Sequence, residues 1–221
     1  MIVAIDGPAG AGKSTIAKRL ARELGFLYID TGAMYRALTL KAVRKHINLE
    51  DTAALVKMAR QTRITLEPCG DRTLVFLDGE DVSAQIRTPE LTQAVFYLAR
   101  QPQIREIMVG WQQLYAQKKD IVMEGRDIGT VVFPHAPVKF YLDATAAERA
   151  DRRHRELKER GIARLLADVR QEIEERDQHD RTRECGPLRQ AADAIYIDST
   201  SLAIDAVVTR MQEHIRHVQT H

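Results

Sequence analysis

Five short apolar, β-branched runs punctuate the chain: Ile2 to Asp6, Phe26 to Asp30, Ile121 to Glu124, Val138 to Asp143 and Ile195 to Asp198. Each ends in a carboxylate, and helical patterns fill the intervals between them. Near-continuous apolar strands of this kind are buried on both faces, as in a parallel sheet covered by helices, and functional groups then collect at the strands' carboxyl ends. The pattern predicts an α/β fold with a five-stranded parallel sheet sandwiched by helices, its five terminal acids gathered around one crevice.

One segment breaks the α/β rhythm. Ile64-Thr65-Leu66-Glu67 alternates, Pro68-Cys69-Gly70-Asp71 reads as a turn, Thr73 to Leu77 forms a second run, and Asp78-Gly79-Glu80-Asp81 turns again before Val82. That succession predicts a small antiparallel β insertion within residues 60–90, outside the main sheet. A helical segment over 202–218 closes the chain. At 221 residues without internal repeats, a single core spanning 1–221 is expected, with insertions rather than a second full domain.

The candidate chemistry begins directly after the first strand. Gly7-Pro8-Ala9-Gly10-Ala11-Gly12-Lys13-Ser14 satisfies G-x-x-x-x-G-K-S and leads into a helical pattern from Thr15 to Leu24, the strand–loop–helix context that a phosphate-binding loop requires. Glycines let the backbone wrap closely around phosphate, and the exposed N–H groups and the helix N-terminus supply positive potential. Lys13 is placed to reach the β and γ phosphates of ATP, Ser14 Oγ to ligate Mg²⁺, and Thr15 completes the donor set. Such a loop alone does not separate kinases from switches or motors. A guanine-reading Asn-Lys-x-Asp segment is excluded, however, because the only asparagine is Asn48, followed by Leu49-Glu50.

Charge and composition narrow the setting. The 33 basic and 31 acidic side chains nearly cancel, at a formal +2, so a general nucleic-acid binder is not indicated. Locally, arginines crowd the stretch from Glu148 to Arg183. Cys69 and Cys185 have no paired spacing, the N-terminus carries no basic leader, and no apolar run approaches a membrane span, so a soluble cytoplasmic protein beginning near Met1 is expected. His214 and His217 are read as surface residues, and Trp111, in a helical pattern with Ile107 and Leu114, as a packing residue.

Beyond the loop, several blocks carry a family signature: Asp30-Thr31-Gly32-Ala33-Met34-Tyr35-Arg36, Gly79-Glu80-Asp81-Val82 with Ile86-Arg87, Gly125-Arg126-Asp127-Ile128-Gly129-Thr130-Val131-Val132-Phe133-Pro134, and Glu175-Arg176-Asp177 with Asp180 and Arg183. Together with Ile5-Asp6-Gly7-Pro8 they resemble, over essentially the whole chain, the bacterial-type cytidylate kinases among the nucleoside monophosphate kinases. The resemblance implies a P-loop NTPase fold, ATP and Mg²⁺, and CMP and dCMP as acceptors, with UMP or another small acceptor as the alternative. It implies small-molecule nucleotides rather than nucleic acid or membrane as partners, and a monomer.

The same resemblance assigns roles. Lys13 with Arg36, Arg126 and Arg183 would be catalytic, the three arginines clamping the acceptor phosphate bidentately in line with the donor. Asp127 and Arg105 would read the cytosine edge, with Thr31 and Tyr35 beside them. An ionised carboxylate complements the cytosine N4 amino group and opposes the uracil carbonyl. Arg176, Asp180 and Arg183 fall on one helical face at i, i+4 and i+7 and would meet the acceptor sugar and phosphate, although the same spacing suits an intrahelical ladder. Arg149 and Arg153, again i and i+4, would span the donor nucleotide from an arginine-rich lid over 149–168, with Arg152 and Arg153 interchangeable by a one-residue shift in helix phase.

The chain departs from the family pattern at one position. Phe96 stands six residues before Pro102, ahead of Arg105, where a small hydroxyl residue is usual. A phenyl ring cannot make that hydrogen bond; it is expected either to pack on the base or the sugar or to accompany a shift in the local register. Thr31 in place of the commoner serine adds only a methyl group.

Overall fold

A computed structural model of the chain describes residues 1–70, 72–117 and 119–220; Asp71, expected in the first turn of the insertion, lies outside them. Strand β1 (Ile2–Asp6) leads through the glycine loop into helix α1 (Lys13–Leu24), followed by β2 (Leu27–Asp30), α2 (Thr31–Arg44) and α3 (Thr52–Arg60). The insertion follows as β3 (Ile64–Cys69), β4 (Arg72–Leu77) and β5 (Glu80–Asp81), then α4 (Pro89–Ala99) and α5 (Pro102–Ala116). The chain returns through β6 (Ile121–Gly125), β7 (Val138–Asp143), α6 (Ala146–Glu159), α7 (Leu166–Thr182), β8 (Ile195–Asp198) and α8 (Ile204–Gln219).

The main sheet runs β2-β6-β1-β7-β8 and every pair in it is parallel, whereas β3, β4 and β5 form a separate antiparallel sheet. The apolar runs thus become strands as their pattern predicts. β1 pairs on both sides, with Val3, Ala4 and Ile5 fully buried, while β8 is the exposed edge and leaves Tyr196 half in solvent. On one face α1 and α8 pack Ile16, Leu20, Val207 and Met211 against the strands. On the other, α2, α3, α4 and α5 pack around Met34, Leu38, Leu55 and Met108.

The insertion is outside the main sheet yet shares its core. Ile64, Leu66, Val75, Leu77, Val82 and Ile86 belong to the same buried cluster as Ala4 and Ile29. Helices α6 and α7 instead form a hairpin with a small core of their own, Ala150, Leu157, Val169 and Ile173. Residues 149–168 make up most of α6, the connecting turn and the first residues of α7. Among the described residues no helix is long and apolar enough to cross a membrane.

Two sequence expectations need correction. The five strand-ending acids do not all face one crevice. Asp30 and Glu124 line the large cleft above the sheet, but Asp6 is buried and accepts the N–H groups of Ile128 and Gly129 at 2.8 and 2.7 Å. Asp143 caps its own strand end through Ala144 N–H, and Asp198 closes a turn with Thr200. A buried carboxylate must find donors, and at strand ends the nearest are backbone N–H groups of the following turn. His214, read as a surface residue, is half-buried, with its ring edge-on to Phe140 at 5.8 Å between centroids.

Candidate active site

The glycine loop joins β1 to α1 with Gly7, Gly10 and Gly12 at positive φ. Gly7 has no alternative, because a Cβ there would strike the carbonyl oxygen of Leu142 on the neighbouring strand. Lys13, at the first position of α1, is buried and donates from Nζ to Pro8 O at 2.6 Å. Burial, with Arg126 nearby adding repulsion, pushes its amine down to about 7. Anionic phosphate oxygens at this place would reverse that shift by favouring the charged form.

Facing the loop, Glu124 in the last residues of β6 is a buried carboxylate that accepts the Tyr28 hydroxyl. Burial and then the neighbouring Asp30 raise its pKa, while Lys13 and a hydrogen bond with Ser14 act the other way. Ser14 hydroxyl and Glu124 carboxylate are hard oxygen donors beside the loop, a donor set that suits Mg²⁺. In the sequence Glu124 stands out only as the close of an apolar run; its place on the strand next to the loop is the signal that singles it out.

Across the cleft the arginines are held by carboxylates. Asp30 caps α2 by accepting Ala33 N–H at 2.8 Å and pairs with Arg36 at 3.0 Å. Burial alone would raise the Asp30 pKa, but Arg36 and the capping N–H outweigh it, leaving the group below the ordinary carboxylate value. Arg126 Nε donates to Asp180 Oδ2 at 2.7 Å, and Asp180 is held low by Arg126, Arg176 and Arg183 against the opposing effect of burial. Arg176 is lowered to about 10 by loss of water and by Arg126. Arg183 donates from Nε to Gly186 O at 2.6 Å and lies 3.7 Å from both Asp180 and Asp127. The Nε of Arg36 and one terminal nitrogen of Arg183 are buried without a hydrogen-bond partner, so each can still donate to an anion.

The two residues expected to read the base are in contact. Arg105, from α5, forms a buried ion pair with Asp127, and Arg105 also donates to the Tyr35 hydroxyl at 3.4 Å. Thr31 donates to Glu124 O at 2.7 Å. Gly186, which the sequence reading passed over, packs its backbone against both members of the pair, at a positive φ of 58°. A side chain there would strike the Arg105 guanidinium and the Asp127 carboxylate.

Two expected positions fall elsewhere. Arg149 does not reach the cleft: its guanidinium is buried, donating to Ala144 O and Ala9 O at 2.9 Å each and pairing with Asp177 at 2.6 Å. The first turn of α6 lies directly under the loop, so its inward side chain meets loop backbone rather than open space. Arg152 turns toward the loop, bonding Ser199 O at 2.6 Å and Glu148 at 2.9 Å, while Arg153 lines the cleft paired with Glu156 at 2.7 Å. Phe96 packs its ring on His179 of α7 at 4.4 Å between centroids, with Arg100 over the same ring at 5.1 Å.

Similarity to known proteins follows the same lines. The family model described as cytidylate kinase matches residues 3–217. A cytidylate kinase of Caldanaerobacter subterraneus is 52% identical, covering 97% of this chain and 94% of its own. One from Lactiplantibacillus plantarum is 47% identical, over 99% and 96%. Among solved structures, the shikimate kinase of Bacteroides thetaiotaomicron superimposes with a TM-score of 0.51 at 14% identity, covering 98% of both chains, and shares the fold.

Proposed function

The chain belongs to the cytidylate kinase family, and on that premise we propose that it transfers the γ-phosphoryl group of ATP to CMP, with dCMP as a second acceptor. The observation that carries the reading is the buried Arg105–Asp127 pair opening into the cleft that the glycine loop also lines. A carboxylate beside a guanidinium offers acceptors and donors in the order that the cytosine N4, N3 and O2 edge requires, and it leaves uracil with its O4 carbonyl facing a carboxylate.

The geometry supports the following division of labour. Loop N–H groups and Lys13 hold the donor phosphates, and Arg36, Arg126 and Arg183 gather the acceptor phosphate. Asp180 and Arg176 face the acceptor sugar, Thr31 and Tyr35 flank the base, and Arg153 with the α6–α7 hairpin covers the donor. An acceptor phosphate oxygen is already ionised, so no general base is needed, and catalysis rests on alignment and on stabilising charge as it moves. Mg²⁺, held through Ser14 with Glu124 nearby, would neutralise charge on the donor phosphates. Covering the cleft excludes water, which otherwise competes as acceptor. Every group named comes from one copy of the chain, so the reading needs no oligomer, and ATP, CMP and dCMP are its partners in the cytoplasm.

A coupled assay of ADP release with CMP, dCMP, UMP and AMP tests the reading. CMP should give the highest kcat/KM. Faster turnover of UMP or AMP would reject the base-reading assignment and favour a different small acceptor.

A further inference from the structure

The family resemblance implies that Arg149 is a ligand of the donor nucleotide, but its surroundings assign it other work. The guanidinium is buried and held by three partners from three places: Ala144 O at the end of β7, Ala9 O in the glycine loop, and the carboxylate of Asp177 on α7. The α6 backbone at Arg149 presses so closely on the loop that a Cβ at Gly10 would lie 3.0 Å from both the Arg149 Cβ and its carbonyl oxygen. Arg149 is therefore a fixed part of the floor beneath the loop.

Two consequences follow from elementary geometry. In a planar trans peptide the C=O and N–H groups point in opposite directions. Holding Ala9 O down toward α6 turns the N–H of the same peptide, that of Gly10, upward and away from α6. Ala11 O is held in the same manner by Ser199 Oγ at 3.2 Å and Arg152 at 3.4 Å, which turns Gly12 N–H. The donors that face phosphate are thus aimed by cations and hydroxyls on the far side of the loop.

The second consequence runs through Asp177. Its neighbour Arg176 and, one turn on, Asp180 belong to the acceptor side, so one turn of α7 carries both the anchor of the donor loop and the acceptor ligands. Asp177 is buried with one oxygen paired to Arg149 and the other without a hydrogen bond, and it is close enough to Arg126 to favour that guanidinium's charge. Removing one member of a buried ion pair leaves an uncompensated charge, so the pair is costly to break and keeps the two elements it joins together.

We propose that Arg149 and Asp177 are positioning residues that orient the Ala9–Gly10 peptide for phosphate and tie the donor loop to the acceptor-bearing turn of α7, so that each substrate site senses occupancy of the other. The proposal rests on the phosphotransfer reading above. Neither side chain touches substrate; both act through what they hold.

Titration calorimetry and steady-state kinetics on the full chain test it, using ADP or an unreactive ATP analogue as donor and CMP as acceptor. Asp177→Asn keeps the volume and the Arg149–Ala9 contact. It should leave donor affinity within about threefold while lowering, by about fivefold or more, the factor by which bound donor tightens CMP, and kcat should fall about tenfold with KM for ATP little changed. Arg149→Lys keeps one cation but loses the fork, and should weaken donor binding about tenfold as well as losing the coupling. The double variant should lose no more coupling than Arg149→Lys alone. If both variants melt earlier yet keep wild-type donor affinity, coupling and kcat, the pair is only structural and the proposal is overturned. A wild type that binds donor but not CMP would defeat the CMP reading instead, and the Arg149→Lys effect on donor affinity would still decide the first half of the inference. A wild type whose donor and acceptor bind independently would overturn the second half. If Arg149→Lys does not fold, Asp177→Asn alone decides the coupling.

Discussion

On the function proposed above, the donor and acceptor sides of the cleft are built on opposite plans. The donor side is a run of consecutive residues, Gly7 to Ser14, between a strand and a helix, and its shape follows from local backbone requirements such as the positive φ at Gly7 and Gly10. The acceptor side takes Arg36 from α2, Arg105 from α5, Arg126 and Asp127 from the end of β6, and Arg176, Asp180 and Arg183 from α7 and its C-terminal end. Its members hold one another: Arg36 with Asp30, Arg105 with Asp127, Arg126 with Asp180. Buried or half-buried ion pairs contribute little net stability after desolvation, but they keep cations at set positions. A contiguous loop specifies an anion; a dispersed, mutually paired set specifies which molecule carries it.

The largest effect should come from the donor side. Lys13→Met removes the buried ammonium of the glycine loop while leaving the loop backbone in place, and kcat should fall about 10³-fold, the scale expected for losing a donor aimed at developing charge. Donor affinity should fall much less, since the N–H groups remain. A kcat within tenfold of wild type, measured by ADP release, would place the transfer chemistry elsewhere in the cleft.

The acceptor side should instead fail in discrimination. Asp127→Asn replaces an acceptor-only carboxylate with an amide that can also donate, so uracil no longer meets an unpaired acceptor. The ratio of kcat/KM for CMP over UMP should fall roughly 10- to 100-fold, the range for hydrogen bonds to charged groups, with KM for ATP nearly unchanged. An unchanged ratio would break the contrast between the two halves, because Asp127 would then be no more than the partner of Arg105.

The same contrast explains what was legible in the sequence. The strands were readable because the inner ones, β1, β6 and β7, are buried almost throughout and even the edge strand β8 keeps an apolar run, and the glycine loop because its chemistry is local. Roles that depend on which way a helix faces were not. Arg149 and Arg153 have ideal spacing for a shared face, yet Arg149 is drawn under the loop by Asp177, a residue distant in sequence, while Arg152 and Arg153 both keep contact with the cleft. Asp6 seemed a site carboxylate but is pushed up to about 6 by burial, opposed by two backbone N–H donors, as a structural anchor for the turn after β6. Gly186 could not be noticed as a lone glycine; only the fold brings its backbone against the Arg105–Asp127 pair.

The smallest effect sharpens the comparison most finely. The sequence leaves Phe96 either packing on base or sugar or accompanying a local register shift; in the structure it packs on His179, joining α4 to α7, which carries the proposed acceptor ligands. His179 is solvent-exposed and the Phe96 ring only half-buried, so the contact should contribute about 0.5–1.5 kcal/mol beyond area burial, as aromatic pairs do. Phe96→Leu keeps apolar bulk and removes the ring, so it should lower Tm by a few degrees at most, given a shift of about 2–4 °C per kcal/mol for a chain of this size. A double-mutant cycle with His179→Ala should recover the pair's coupling, and the CMP over UMP ratio should stay within about threefold of wild type, because base reading belongs to Arg105 and Asp127. A larger loss of discrimination would mean that the ring itself forms a wall of the base site, and acceptor choice would then be shared between charge pairing and shape.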